Sequence, residues 1–170
     1  MRGKVILYVL LIFIFVTTQV TFLNFIDIFG VRPNLVIILI VSISLLEGRI
    51  HGAVVGFFAG LCVDAVVGIA LGYHALVGML LGLALGNINK RFFKENIMVM
   101  IICTLISTFL FESAIILISR IFGYAMDFIQ AIQEVVLPEA IINAVLGAVI
   151  FFFIVRINRK MANSEGKNRY

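Results

Sequence analysis

Asp64 and Glu112 are the residues whose chemistry most needs a surrounding structure, because each is a carboxyl set inside a long apolar run. A carboxyl in hydrocarbon costs at least ~2.5–3.5 kcal/mol, so both are expected to face protein or water rather than lipid. Asp64 lies sixteen residues beyond Gly48, and Glu112 sixteen beyond Asn96. On helices that start at one boundary, both would sit about 24 Å along. Two arrangements are open. The acids share one site, where two close carboxyls do not both ionise readily. Alternatively each is answered separately, by hydroxyls or by Arg32 or Arg120; Thr104 and Thr108 lie on the same stripe as Glu112. A proton relay would need further ionisable groups leading inward, and the sequence provides no such chain.

Other chemistry is sparse. His51 and His74 lack the spacing of metal ligands. Cys62 and Cys103 both fall in apolar segments and read as small buried hydrophobes, not as a disulfide or a metal site. No Ser-His-Asp or Cys-His set stands out, and no phosphate loop is present. The expectation is a non-enzyme with no metal and no cofactor.

The elements that must hold the two acids are membrane helices. Of 170 residues, 63% are hydrophobic and 13% charged, against about 25% charged in soluble domains. The net charge of +4 gathers between apolar runs and at the chain ends, which suits topology signalling and not nucleic acid. Lys4 to Phe25 is long enough, at roughly 33 Å, to span a bilayer. It lacks the cleavage site of a signal peptide. Further spans are expected at about 33–46, 48–67, 72–88, 96–119 and 138–155. The second is short, roughly 21 Å against a core of about 30 Å, with Pro33 in its first turn.

Charge decides whether that short segment crosses. With six spans and an inner N-terminus, only Arg32 and Arg120 of the 13 basic residues lie outside. A re-entrant second segment would move Lys90, Arg91, Lys94 and five C-terminal basic residues to the wrong side. The expected fold is thus an all-α bundle of six transmembrane helices in the lipid bilayer, with both termini in the cytoplasm. One transmembrane domain covers residues 1–157, and a basic, disordered cytoplasmic tail covers 158–170. Between helices five and six, over Tyr124 to Leu137, Ala125, Phe128, Ile129, Ile132, Val135 and Val136 recur at helical spacing opposite Asp127, Gln130 and Glu134. This predicts an amphipathic helix lying on the outer surface.

The most regular pattern is glycine. Gly48, Gly52, Gly56 and Gly60 recur every four residues, then Asp64, then Gly68 and Gly72; Gly78, Gly82 and Gly86 repeat the spacing in helix four. Such a ridge lets a second backbone approach closely, which matters in lipid because apolar burial alone gives helices no reason to associate. Packing of helix three on helix four is the expected use, with a partner chain as the other.

The residues Pro33-Asn34-Leu35, Glu47-Gly48, the glycine ridge with Asp64, and Leu137-Pro138 with Asn143 before Arg156 resemble the MreD family of bacterial rod-shape-determining membrane proteins. The resemblance covers nearly the whole chain. It implies a non-enzymatic scaffold in the bacterial cytoplasmic (inner) membrane, within the cell-elongation machinery for peptidoglycan synthesis. It implies MreC as a partner, and links, direct or indirect, to MreB filaments, RodA and penicillin-binding protein 2. The alternative is a substrate-binding membrane subunit of a vitamin-type importer, which has similar size and helix number. Such subunits commonly carry an Ala-x-x-x-Ala motif on helix one, and Val5 to Phe25 contains no alanine.

Overall fold

The structure is a computed structural model that describes residues 2–21, 30–67, 71–88, 95–121, 123 and 127–167. Among these the chain is helical, with no β-strand: α1 (Arg2–Thr21), α2 (Leu35–Glu47), α3 (Arg49–Val67), α4 (Tyr73–Gly86), α5 (Ile97–Ile121), α6 (Phe128–Ala131) and α7 (Leu137–Lys167). The expected end of helix one at Phe25, Gly68, the basic loop Lys90, Arg91 and Lys94, and the start of the amphipathic segment at Tyr124 lie outside the described residues.

The polarity is that of a protein in lipid. Large apolar side chains point outward on α1, α3, α4, α5 and α7, including Phe13, Phe58, Leu80, Ile106 and Phe153. The fully buried groups include Ser42, Asp64, Thr104, Thr108 and Asn143. Water would reverse that arrangement. Cys62, expected to be buried, faces outward with this surface, whereas Cys103 is buried. Four helices are long and apolar enough to cross a membrane, while α2 and α4 are shorter.

The short α2 occupies the middle of the bundle. Val36 to Leu46 are buried on every face, and α1, α3, α4, α5 and α7 all pack on it. A helix of 13 residues reaches about 20 Å. It needs little matching to hydrocarbon because protein surrounds it. Its hydroxyls stay within the helix: Ser42 donates to the Ile38 carbonyl at 2.7 Å and Ser44 to the Ile40 carbonyl at 2.6 Å. Pro33 falls just outside the helix and not in its first turn, because Asn34 is the N-cap, its side chain accepting from the Ile37 N–H.

The glycine ridge packs within the chain. A Cβ at Gly52 would run into Ser44 of α2, at Gly56 into the Gly78 carbonyl, and at Gly60 into the backbone of His74 and Ala75. From the other side, Gly82 abuts the Gly52 carbonyl and Gly86 abuts Arg49. As positions rise along α3 they fall along α4, so the two helices form an antiparallel hairpin joined backbone to backbone. Gly48 plays another part: at φ 88° it makes the sharp turn from α2 into α3.

The helices alternate in direction, which sorts the charges by end. Lys4 at the start of α1 pairs with Glu47 at the end of α2 at 2.8 Å. Glu95, before α5, receives the Arg159 Nε–H at 3.0 Å from the far part of α7. Arg159 belongs to the stretch expected to be a disordered tail from residue 158. Instead α7 continues as helix to Lys167, and residues 168–170 lie outside the described residues.

The amphipathic segment also differs from expectation. It is no separate surface helix: α6 passes through a wide π turn, Ile132–Val136, straight into α7. In that turn the Leu137 N–H donates to the Ile132 carbonyl, five residues back. The next residue, Pro138, has no N–H to give and its ring would crowd the carbonyl four residues earlier. A wider turn just ahead of it relieves that conflict without breaking the helix.

Even one methyl group on the hairpin ridge meets backbone, so Gly56→Ala is expected to cost about 1–3 kcal/mol, the usual range for overpacking. Gly56→Leu should be worse. Gly147→Ala is the contrast, because its Cβ would meet side chains and no backbone, the end of Met100 at 3.3 Å, Thr104 Oγ1 at 3.5 Å and Ile38 at 3.7 Å; helix propensity should leave it neutral or more stable. Thermal unfolding of the isolated protein in detergent reads all three. Equal melting temperatures for Gly56→Leu and the parent would show that the ridge does not hold α3 on α4.

Candidate functional site

At the end opposite the Lys4–Glu47 pair, two polar clusters flank one cavity. The first is built on Asp64, which is fully buried in the last part of α3. Its Oδ2 accepts the backbone N–H groups of Gly72 at 2.9 Å and Ala75 at 3.1 Å. Its Oδ1 accepts the His74 backbone N–H at 3.1 Å and lies 2.7 Å from His74 Nδ1. The residue at the N-cap of α4 is Gly72, at φ 106°, which has no side chain to cap with. Asp64 supplies the cap from the neighbouring helix, where a negative group also meets the positive end of the α4 dipole. With a carboxyl oxygen as acceptor, Nδ1 of His74 is the donor. Nε2 is then left for the cavity that His74 lines.

The second cluster joins α1, α2, α5 and α7. Asn34 is its centre. The Asn34 N–H donates to Asn143 Oδ1 at 2.8 Å, and its side-chain amide donates to Glu112 Oε1 at 3.0 Å. The next backbone N–H, of Leu35, donates to Gln19 Oε1 at 2.7 Å. On α7, the Asn143 amide donates to Thr108 Oγ1 at 3.2 Å and to Glu139 Oε1 at 3.3 Å. Glu112 from α5 and Glu139 from α7 are thus held in one cluster through the linked pair Asn34 and Asn143.

The local sequence explains each placement. Pro33 ahead of Asn34 keeps the chain extended up to the cap, so the Asn34 N–H points away from α2 and toward α7. On α5, Thr104, Thr108 and Glu112 recur every four residues on one face; Thr104 and Thr108 are buried there. On α7, Glu139 and Asn143 are one turn apart and both buried.

The cavity between the clusters holds about 390 Å³ and is lined by Gln19, Asn34, Gly60, His74, Phe111 and Glu112, among others. The rings of His74 and Phe111, both lining it, pack against each other with centroids 6.1 Å apart. Asp64 and Glu112 therefore do not touch. Each has its own hydrogen-bond donors, and they approach one cavity from two sides, Asp64 through His74.

A family model described as rod shape-determining protein MreD matches residues 2–161. The chain belongs to the MreD family. It is a membrane protein of the kind that determines rod shape in bacteria. No curated protein and no solved structure matches it.

In this MreD chain, Asn34 and Asn143, far apart in sequence, form one direct contact, while Pro33 and Pro138 each shape the backbone beside it. Leu35 contributes its backbone N–H. Three further residues of the site were not picked out as site residues from the sequence. Gln19 and His74 sit among apolar neighbours without a repeat. Glu139 had a signal, its spacing of four from Asn143, masked by the proline and by the apparent end of a surface helix.

Among the described residues the two clusters share no hydrogen bond, so Asp64→Asn and Glu112→Gln are expected to add in a double-mutant cycle to within about 0.5 kcal/mol. Glu112→Gln and Glu139→Gln should couple. Asp64→Leu strands three backbone N–H groups, each worth about 1–3 kcal/mol, and should be far worse than Asp64→Asn. Additive behaviour of Glu112 with Glu139 would break the second cluster apart.

Proposed function

We propose that this chain is a non-enzymatic scaffold subunit of the bacterial cell-elongation complex, working beside MreC in the cytoplasmic membrane. The observation that carries the reading is the MreD family match over residues 2–161. The site's chemistry agrees with it. Asn34, Asn143, Thr108, Glu139 and one oxygen of Glu112 spend their hydrogen bonds on one another, which is what a rigid platform needs. MreC is the direct partner; RodA, penicillin-binding protein 2 and MreB filaments are joined directly or through it.

The chain crosses the membrane six times with both ends in the cytoplasm. Lys4, Arg49, Arg156, Arg159 and Lys160 gather at one end of the bundle, and the positive-inside rule makes that end cytoplasmic. The clusters around Asp64 and Asn34 then lie in the outer part of the membrane.

One observation favours a second reading. A cavity of about 390 Å³ is within the range of small-molecule sites, which run from about 300 to 1,000 Å³. A substrate-binding subunit of a vitamin-type importer would use it. The absence of alanine from Val5 to Phe25 weighs against docking to a transport module.

Purification from membranes separates the readings. A scaffold is expected to bring down a single-span partner in stable ratio, read by mass spectrometry, whereas a capture subunit brings down a bound small molecule and no such partner. For topology, labels after Tyr170 and near Lys90 should report cytoplasm, and a label near Asp127 the outside. An external C-terminus would overturn the six-span arrangement.

A further inference from the structure

A second cavity, of about 440 Å³, lies at the other end of the bundle between the start of α5 and the far part of α7. Its walls change character along α7. Phe152 and Val155 are apolar; one turn on come Arg156 and Arg159, then Lys160. Phe152, Arg156 and Lys160 are spaced by four, so they form one stripe, each step rising about 6 Å. Phe152 is 54% exposed and belongs to the lipid-facing surface. The stripe therefore runs from hydrocarbon depth to the polar boundary and becomes cationic on arrival.

The charges in this cavity are unequally used. Arg159 gives both its Nε–H and a terminal N–H to Glu95. That contact anchors α7 to the start of α5 and forms one rim of the cavity. Arg156 and Lys160 have no carboxylate partner among the described residues. Among the described residues the cavity thus holds three cationic groups against one acid, with Arg156 and Lys160 open to a ligand.

We propose that this cavity binds an anionic phospholipid, with the phosphate between Arg156 and Lys160 and an acyl chain along Phe152 and Val155. A basic pocket between membrane helices that opens to lipid has the chemistry for such a headgroup. A free phosphate would use the cations but leave the apolar wall idle. A zwitterionic lipid would use the wall but bring its own cation to a basic site.

The test uses the full chain purified in detergent and its thermal unfolding. Phosphatidylglycerol is expected to raise the melting temperature by several degrees, phosphatidylcholine with the same chains much less, and inorganic phosphate not at all. The double variant Arg156→Gln/Lys160→Gln should bind phosphatidylglycerol about thirtyfold more weakly, the loss for two charges beside a lipid phosphate. Arg120→Gln, at the opposite end of the bundle, should keep the parent affinity. The swap Arg156→Lys/Lys160→Arg preserves charge and should keep most of the binding, which guards against a mere folding defect in the double variant. Equal stabilisation by phosphatidylcholine, equal stabilisation by inorganic phosphate, or an unchanged affinity in the double variant would each overturn the proposal.

Discussion

Asn34 joins three helices at one point, and the arrangement of the bundle depends on it. The helix it caps, α2, is apolar on all sides and buried on all sides. In lipid, burying such a surface gives little preference for one rotation or depth over another. Direction has to come from polar groups. At one end of α2, Asn34 reaches Glu112 on α5 and Asn143 on α7, while the Leu35 N–H reaches Gln19 on α1. At the other end, Glu47 holds Lys4 of α1. Between these ends no further polar contact is needed, because both depth and rotation are already set. The extended backbone at Pro33 makes this possible by freeing the Asn34 N–H from helix formation.

The hairpin of α3 and α4 is held by a different principle. There the backbones themselves are the contact surface, and the small residues serve by what they lack. Asp64 closes this unit at its turn by capping α4 from α3. The closed hairpin packs on α2, with α3 also against α1 and α4 against α5.

Much of this was legible in the sequence, though unevenly. The glycine spacing pointed to close helix packing, and in the structure α3 and α4 meet along it, but spacing alone does not say whether the facing helix is in the same chain. The need to satisfy Asp64 and Glu112 was equally legible, since it follows from the cost of a carboxyl in lipid. Their partners were not. Asp64 is answered mainly by backbone N–H groups, which every residue carries, so no side-chain pattern could reveal them. The surface helix was misread because amphipathic spacing looks the same on a free helix and on the outer turns of a long one. Pro138 suggested a start, whereas a π turn carries the chain past it. The polar composition after residue 157 suggested disorder, yet the Arg159–Glu95 contact fastens that stretch to α5 as it leaves the bundle.

The backbone contact between α3 and α4 has a mechanical consequence. Two helices that touch through carbonyls and Cα atoms leave no layer of side chains to slide or repack. The hairpin is therefore stiff, and deformation of the bundle falls on the seams where side chains separate it from α2 and α5. The cavity lined by both polar clusters lies across those seams, with Gly60 and His74 on the stiff wall and Asn34, Phe111 and Glu112 on the other. A pull on α5 or α7 changes the width of that gap before it changes the hairpin. The contact of the His74 and Phe111 rings, 6.1 Å between centroids, joins the stiff wall to the yielding one and is the first to feel such a pull.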